Sequence, residues 1–141
     1  MIAVTGGHTQ KTASTGTRTA MLVHHGATDA PTVDVREAIS LLVLVNDLSY
    51  SEFDDGYPEL PTADYFIDVT TADESVIVET YLAEFQTLGL DGDAISILAS
   101  GFLDPSQNSN GPAFGLWVAL PAGGALIELP TATLGTSQFE E

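Results

Sequence analysis

The apolar residues of this chain come only in short runs. The strongest, residues 39–45, holds seven residues with a serine among them, and the other runs are cut at similar lengths by Gly, Pro, Asp or Asn. Such runs are too short for long helices but match the length of strands, which average five to six residues. Several alternate in the manner of a half-buried strand: Val33 and Val35 face one way with Thr32, Asp34 and Arg36 opposite, and Tyr65, Ile67 and Val69 oppose Asp64, Asp68 and Thr70, with Phe66 the exception. Residues 76–85 also carry Tyr81, Leu82 and Phe85 at helical spacing, but β-branched Val76, Ile77, Val78 and Thr80 favour a strand. Strands are expected over residues 19–25, 32–36, 39–45, 64–70, 76–85, 94–103, 113–120 and 125–129, the run at 39–45 as a buried one. Asp91-Gly92-Asp93 supplies a tight turn, and Ala122-Gly123-Gly124 supplies the hairpin turn between the last two. Seven to eight strands at this spacing, with no long helix, predict an all-β fold: an antiparallel, Greek-key-like β-sandwich.

The rest of the chain frames that body. Residues 5–19 are rich in Thr, Ser and Gly without periodicity, so residues 1–18 read as a linker or the remnant of a preceding repeat, with Ile2 to Val4 the end of an earlier strand. Residues 19–130 form one domain, and the polar residues 131–141 a C-terminal linker. At 141 residues a single domain buries about two thirds of its unfolded surface, so no staple is needed. The chain has no cysteine, which removes disulfides and thiol chemistry. No run approaches the length of a membrane span, and the first residues lack the charged and apolar regions of a signal peptide, so if the protein is exported its signal lies outside this sequence.

Charge narrows the partners. The chain holds three basic residues, Lys11, Arg18 and Arg36, against 20 acidic ones, a formal net charge of −17, and no Lys or Arg follows Arg36. Association with nucleic acid or an anionic bilayer needs cations to neutralise phosphates, and this body offers almost none. The same charge keeps an apolar chain soluble and offers carboxylates to divalent cations.

Carboxylates and amides gather at three turns: Glu52, Asp54 and Asp55; Asp91 and Asp93; and Asp104 with Asn108 and Asn110. Calcium takes six to eight oxygens and could find them at such turns. None fits the EF-hand pattern, since the last loop has Trp117 where the bidentate glutamate belongs, and Asp and Asn capping their own turns is the simpler reading. His24 and His25 are adjacent in an expected strand, so their rings leave opposite faces and do not share a metal ion. There is no Gly-x-Ser-x-Gly elbow and no phosphate-cradling glycine loop, so no catalytic residue is assigned. A glycosidase-like carboxylate pair would need a cleft that residue types do not specify. Trp117 should point away from the core, on the face opposite Phe114, Leu116 and Val118, with Gly115 and Ala119 leaving room beside its ring. With Tyr50, Tyr57, Tyr65 and Tyr81 it is a candidate platform for a glycan, although such aromatics more often pack in cores and rims.

Four blocks in order, residues 25–35, 47–53, 99–105 and 110–116, resemble the domain of unknown function 4397 family. The resemblance implies a secreted or surface-exposed bacterial β-domain, frequent in tandem copies, with no assigned activity and no site to carry over. Residues 129–135 resemble sequence preceding a C-terminal sorting domain of the type IX secretion system in Bacteroidetes. The segment from Arg36 to Ser40 departs from the family pattern, being more apolar, which puts the pairing of the third strand in question. The functional expectation is a non-enzymatic extracellular structural or adhesive module, with neighbouring domains or copies as partners. A calcium- or glycan-binding module is the alternative and an enzyme the third reading.

Overall fold

A computed structural model describes residues 12–54 and 56–132. Nine strands run in chain order: β1 (Arg18–His25), β2 (Val33–Glu37), β3 (Val43–Leu48), β4 (Glu59–Pro61), β5 (Asp64–Thr71), β6 (Ile77–Glu84), β7 (Ala94–Ser100), β8 (Gly115–Ala119) and β9 (Ile127–Glu128). They form two sheets, ordered β4-β1-β7-β8-β9 and β3-β2-β5-β6. The all-β sandwich is as the strand pattern indicates. One pairing differs from an all-antiparallel reading: β1 and β7, at the centre of the first sheet, run parallel from Ala20↔Ala94 to His25↔Ala99. All other pairings between named strands are antiparallel.

The core lies between the sheets and follows strand parity. From the first sheet come Met21 and Val23, the paired Ile95 and Ile97, then Leu116 and Val118. From the second come Val33, Val35, Val45, Ile67, Val69 and Tyr81. Burying a Val, Leu or Ile side chain contributes about 1.5–3 kcal/mol, so these inner rows supply most of the driving force. Leu129 also joins the core, because the chain leaves β9, turns inward and pairs with the edge of β6 through Tyr81↔Thr131. The last described residues therefore bind the first sheet to the second.

Two expectations are corrected. The run at 39–45 is not a buried strand: Ile39, Leu41 and Leu42 are 57%, 56% and 52% exposed, and β3 starts only at Val43. The Glu37 carboxylate accepts the Ile39 and Ser40 amides at 3.0 and 2.8 Å, folding this segment into the β2–β3 turn. Leu41 completes the turn in the left-handed region at φ 64°. A ninth strand, β4, lies within the Pro-containing polar stretch at 51–61, where Pro61 is tolerated because β4 is a sheet edge. Of the segment expected as linker, Arg18 already belongs to β1. Residues 12–17 lie against the body as well: Ala13 donates to Gly92 O at 2.9 Å, and Ser14 donates through Oγ and N to the Glu59 carboxylate at 2.6 and 2.9 Å.

The outer face of the second sheet carries the strongest charge pairing. Arg36 Nε meets Asp68 Oδ2 at 3.0 Å, with Asp68 also accepting Thr80 Oγ1 at 2.6 Å. These residues form one cross-strand row, Arg36↔Asp68↔Thr80. Beside it Asp34 is fully buried and accepts the Asp47 amide at 2.8 Å. A hydrogen bond to Asp34, burial, and the Asp34 charge push the Glu74 pKa up, with Arg36 opposing.

The exposed, left-handed Leu41 leads to a test. A non-glycine residue in this conformation costs about 1–2 kcal/mol, part of which glycine recovers despite its greater entropy when unfolded. Leu41→Gly is expected to leave stability unchanged or raise it by about 0.5–1 kcal/mol in urea unfolding; a loss above about 2 kcal/mol would mean that the Leu41 side chain is buried.

Candidate functional site

Strand parity places the outward residues of the first sheet in a single line. His24 of β1 stands opposite Leu98 of β7, Leu98 opposite Trp117 of β8, and Trp117 opposite Glu128 of β9. Neighbouring strands lie about 4.8 Å apart, so these four residues cross the sheet side by side. Trp117 points outward and is half-buried, while Leu116 and Val118 are core and half-buried Phe114 packs against that core. Its ring lies over Gly115, where an added Cβ would come within 3.0 Å of the indole Cη2 and Cζ3.

Beyond this line the segment after β7 rises to form a wall. Phe102 pairs with Pro112 and Phe114 through backbone bonds of 2.9 and 2.8 Å. Gly101, at φ 89°, fits where a Cβ would stand 2.2 Å from Ala113 O, and a Cβ at Gly111 would strike the Phe102 ring at 2.6 Å. Between wall and sheet is a hollow of about 560 Å³, lined among others by His24, Thr28, Leu98, Ser100, Phe102 and Trp117. This lies within the range of small-molecule sites.

Asp29, from the β1–β2 connection, anchors the wall. Its two oxygens accept the Leu103 amide at 2.8 Å, the Asp104 amide at 3.0 Å and Asn108 Nδ2 at 3.2 Å. The Asp104 amide first, then that of Leu103, hold the Asp29 pKa below the ordinary carboxylate value against the effect of burial. Asp29 was not singled out by its sequence neighbourhood, because its partners lie more than seventy residues away.

The three acidic turns are not brought together. Glu52 Oε1 accepts the Ser49 amide at 2.9 Å, a local cap. Asp54 donates its amide to Val23 O at 2.8 Å, and Asp55 lies outside the described residues. Asp91 is exposed, and Asp93 serves through its backbone, accepting the Ala20 amide at 3.0 Å. Asp104 Oδ1 accepts Ser106 Oγ at 2.6 Å; Asn108 turns its Nδ2 toward Asp29 and Asp104 O; Asn110 holds the left-handed turn at φ 55°. Among the described residues no three His, Asp or Glu side chains converge as metal ligands.

The histidines leave opposite faces as expected. His25 is buried, its Nε2 2.9 Å from Pro31 O and its Nδ1 accepting the Ala27 amide at 3.3 Å, which fixes the β1–β2 corner. His24 faces out with Nδ1 3.1 Å from Glu52 O and its ring 4.2 Å from that of Phe53. The tyrosines do not line the hollow with Trp117: Tyr81 is in the core, Tyr65 is on the second sheet and donates to Pro61 O, Tyr50 meets His25 edge-on, and half-buried Tyr57 lies just before β4. The aromatic company of the hollow is instead His24 and Phe102. The outward face of His24 was readable, but the pairing of β1 with β7 that brings it into line with Trp117 was not; Phe102, expected within a strand over 94–103, lies beyond β7 and is placed by its bridge to Ala113.

No family model, no curated protein and no solved structure matches this chain.

The Asp29 clamp makes the wall sensitive to one side chain. In Asp29→Ala, hydrogen exchange at the Leu103 and Asp104 amides is expected to accelerate on the order of tenfold or more, with β1 and β7 amides unchanged. Acid should act similarly on the unaltered protein. Because the Asp29 pKa is depressed on folding, its contribution is present above the unfolded value of 3.8 and is lost as pH falls through the lower folded value. Unchanged exchange at both amides in the variant would remove Asp29 as the anchor.

Proposed function

We propose that this protein is a non-enzymatic structural or adhesive module of a larger bacterial surface or secreted protein, arranged in line with neighbouring domains or copies. The observation that carries the reading is the direction of the chain at its two described ends. Thr12 bridges Asp93 and Ala13 bonds Gly92, so the chain comes in beside the starts of β1 and β7 and the far end of β6. At the other described end Pro130 O accepts the Leu82 amide and Ala132 donates to Thr80 O, both at 2.9 Å. The chain thus runs antiparallel to β6, toward Ile77 and away from Glu84. It comes in at one end of the sandwich and heads out toward the other, the geometry that lets domains follow one another in line.

Two further features support a structural role. Glu37, Glu52 and Asp73 each accept a backbone amide of their own turn. The buried histidine has both ring nitrogens engaged by backbone groups. The placement outside the cell rests on the resemblance of the four blocks alone.

Joining two copies of the full chain head to tail tests the reading by small-angle X-ray scattering. Each domain has a radius of gyration of about 14 Å, and two in line should give about 25 Å. A value near 19 Å, that of one compact body of the combined length, would contradict an in-line arrangement.

A further inference from the structure

We infer that the hollow on the outer face of the first sheet is a binding site for a neutral saccharide. The inference stands apart from the in-line arrangement proposed above, and either can fail without the other.

The walls are built to hold aromatic planes still. The Trp117 ring is seated over Gly115 and the Phe102 ring over Gly111, each so closely that a Cβ would meet ring carbons at 3.0 and 2.6 Å. Gly101 lets the Phe102 segment approach Ala113 where no side chain fits, and the Asp29 clamp fixes the segment beyond it. Fixed rings lose little freedom when a ligand stacks on them, which is how Trp and Tyr serve recognition surfaces. Ordinary outer-face packing does not require two rings flanking a hollow of about 560 Å³.

The polar atoms around the rings suit hydroxyl groups. The Thr28 and Ser100 hydroxyls form no hydrogen bond among the described residues, and neither does Trp117 Nε1. His24 has Nδ1 held by Glu52 O, which leaves Nε2, close to Gly26, for the hollow. These groups donate and accept, as a sugar hydroxyl requires.

Charge decides among ligand classes. Among the described residues no Lys or Arg lines the hollow; Arg18 and Arg36 are paired with Glu59 and Asp68 elsewhere, and the chain carries a net charge of −17. A phosphate, sulfate or uronate would enter against that field with nothing to pair it. A cationic amine would want carboxylates around it; the described lining contains none, and the single carboxylate beside Trp117, that of Glu128, stands outside the hollow next to Gly115. A neutral ring with apolar faces and hydroxyl edges satisfies both the aromatic planes and the hydroxyls.

Trp117 is the only tryptophan in the chain, so its fluorescence reports this site alone. The full chain is titrated with the tetrasaccharides of β-1,4-glucose, α-1,4-glucose, β-1,4-mannose and β-1,4-xylose, with tetragalacturonate and choline as charged contrasts. At least one neutral tetrasaccharide should shift the emission to shorter wavelength and saturate. Ser100→Ala, at an exposed position, should weaken that binding roughly 3- to 10-fold. Phe102→Ala should weaken it more, with circular dichroism confirming the fold. No saturable response to any neutral tetrasaccharide at about 10 mM, near the weak end of useful affinity, would overturn the inference. Saturation only by choline or by tetragalacturonate would overturn it as well, and so would binding that neither substitution changes.

Discussion

The parallel pairing of β1 with β7 is the constraint on which the rest of the structure depends. It joins segments more than seventy residues apart and sets Met21 beside Ile95 and Val23 beside Ile97 on the inner face. The same register sets His24 beside Leu98 on the outer face, and β8 extends that line to Trp117. Core and hollow are thus two sides of one register, and a shift by one residue would exchange them. Because the two strands run the same way, their starts share one end of the sandwich, where Thr12 also lies against Asp93.

A chain with so few cations must place its negative charge where backbone can answer it. Glu37, Asp29, Asp64 and Asp73 each accept two or more amide or hydroxyl hydrogens at turns. The Ser75 hydroxyl and amide, with the Thr71 hydroxyl, lower the Asp73 pKa to about 2. These carboxylates do the work that a side-chain cation would do elsewhere, and they do it at the points where strands reverse. The two described arginines do meet carboxylates: Arg18 meets Glu59 at a more exposed site, and Arg36 meets Asp68 on a face where both are largely buried. Removing Arg36 would leave Asp68 without its ionic partner, the costlier half of any buried pair.

The strands themselves were legible wherever one face alternates, as in Val33 and Val35 or Ile67 and Val69, because local parity records burial. Residues 77–84 resolved as β6 for the β-branched reason given. Burial failed to follow hydrophobicity at Ile39, Leu41 and Leu42, where the Glu37 carboxylate and a left-handed Leu41 turn the chain before those residues can reach the core. The orientation of Trp117 was readable from β8 alone, but its neighbour His24 comes from a strand whose pairing with β7 is non-local, and Phe102 from the wall segment after β7. Asp29 was overlooked for the same reason: a capping carboxylate is recognisable in sequence only when its amides are near it in the chain.

If the domain serves as a unit in a line, force applied along that line should meet resistance. Pulled at residues 12 and 131, β1 is drawn along its own axis, so its bonds to β7 share the load together; pulled at residues 12 and 91, both at the same end, the two strands unzip one bond at a time. The chain lacks native cysteine, so paired handles at Thr12→Cys with Thr131→Cys, and at Thr12→Cys with Asp91→Cys, are unambiguous. Single-molecule force spectroscopy should find the higher unfolding force, and the slower unfolding under a given load, in the first geometry. An equal or lower force there would contradict the account.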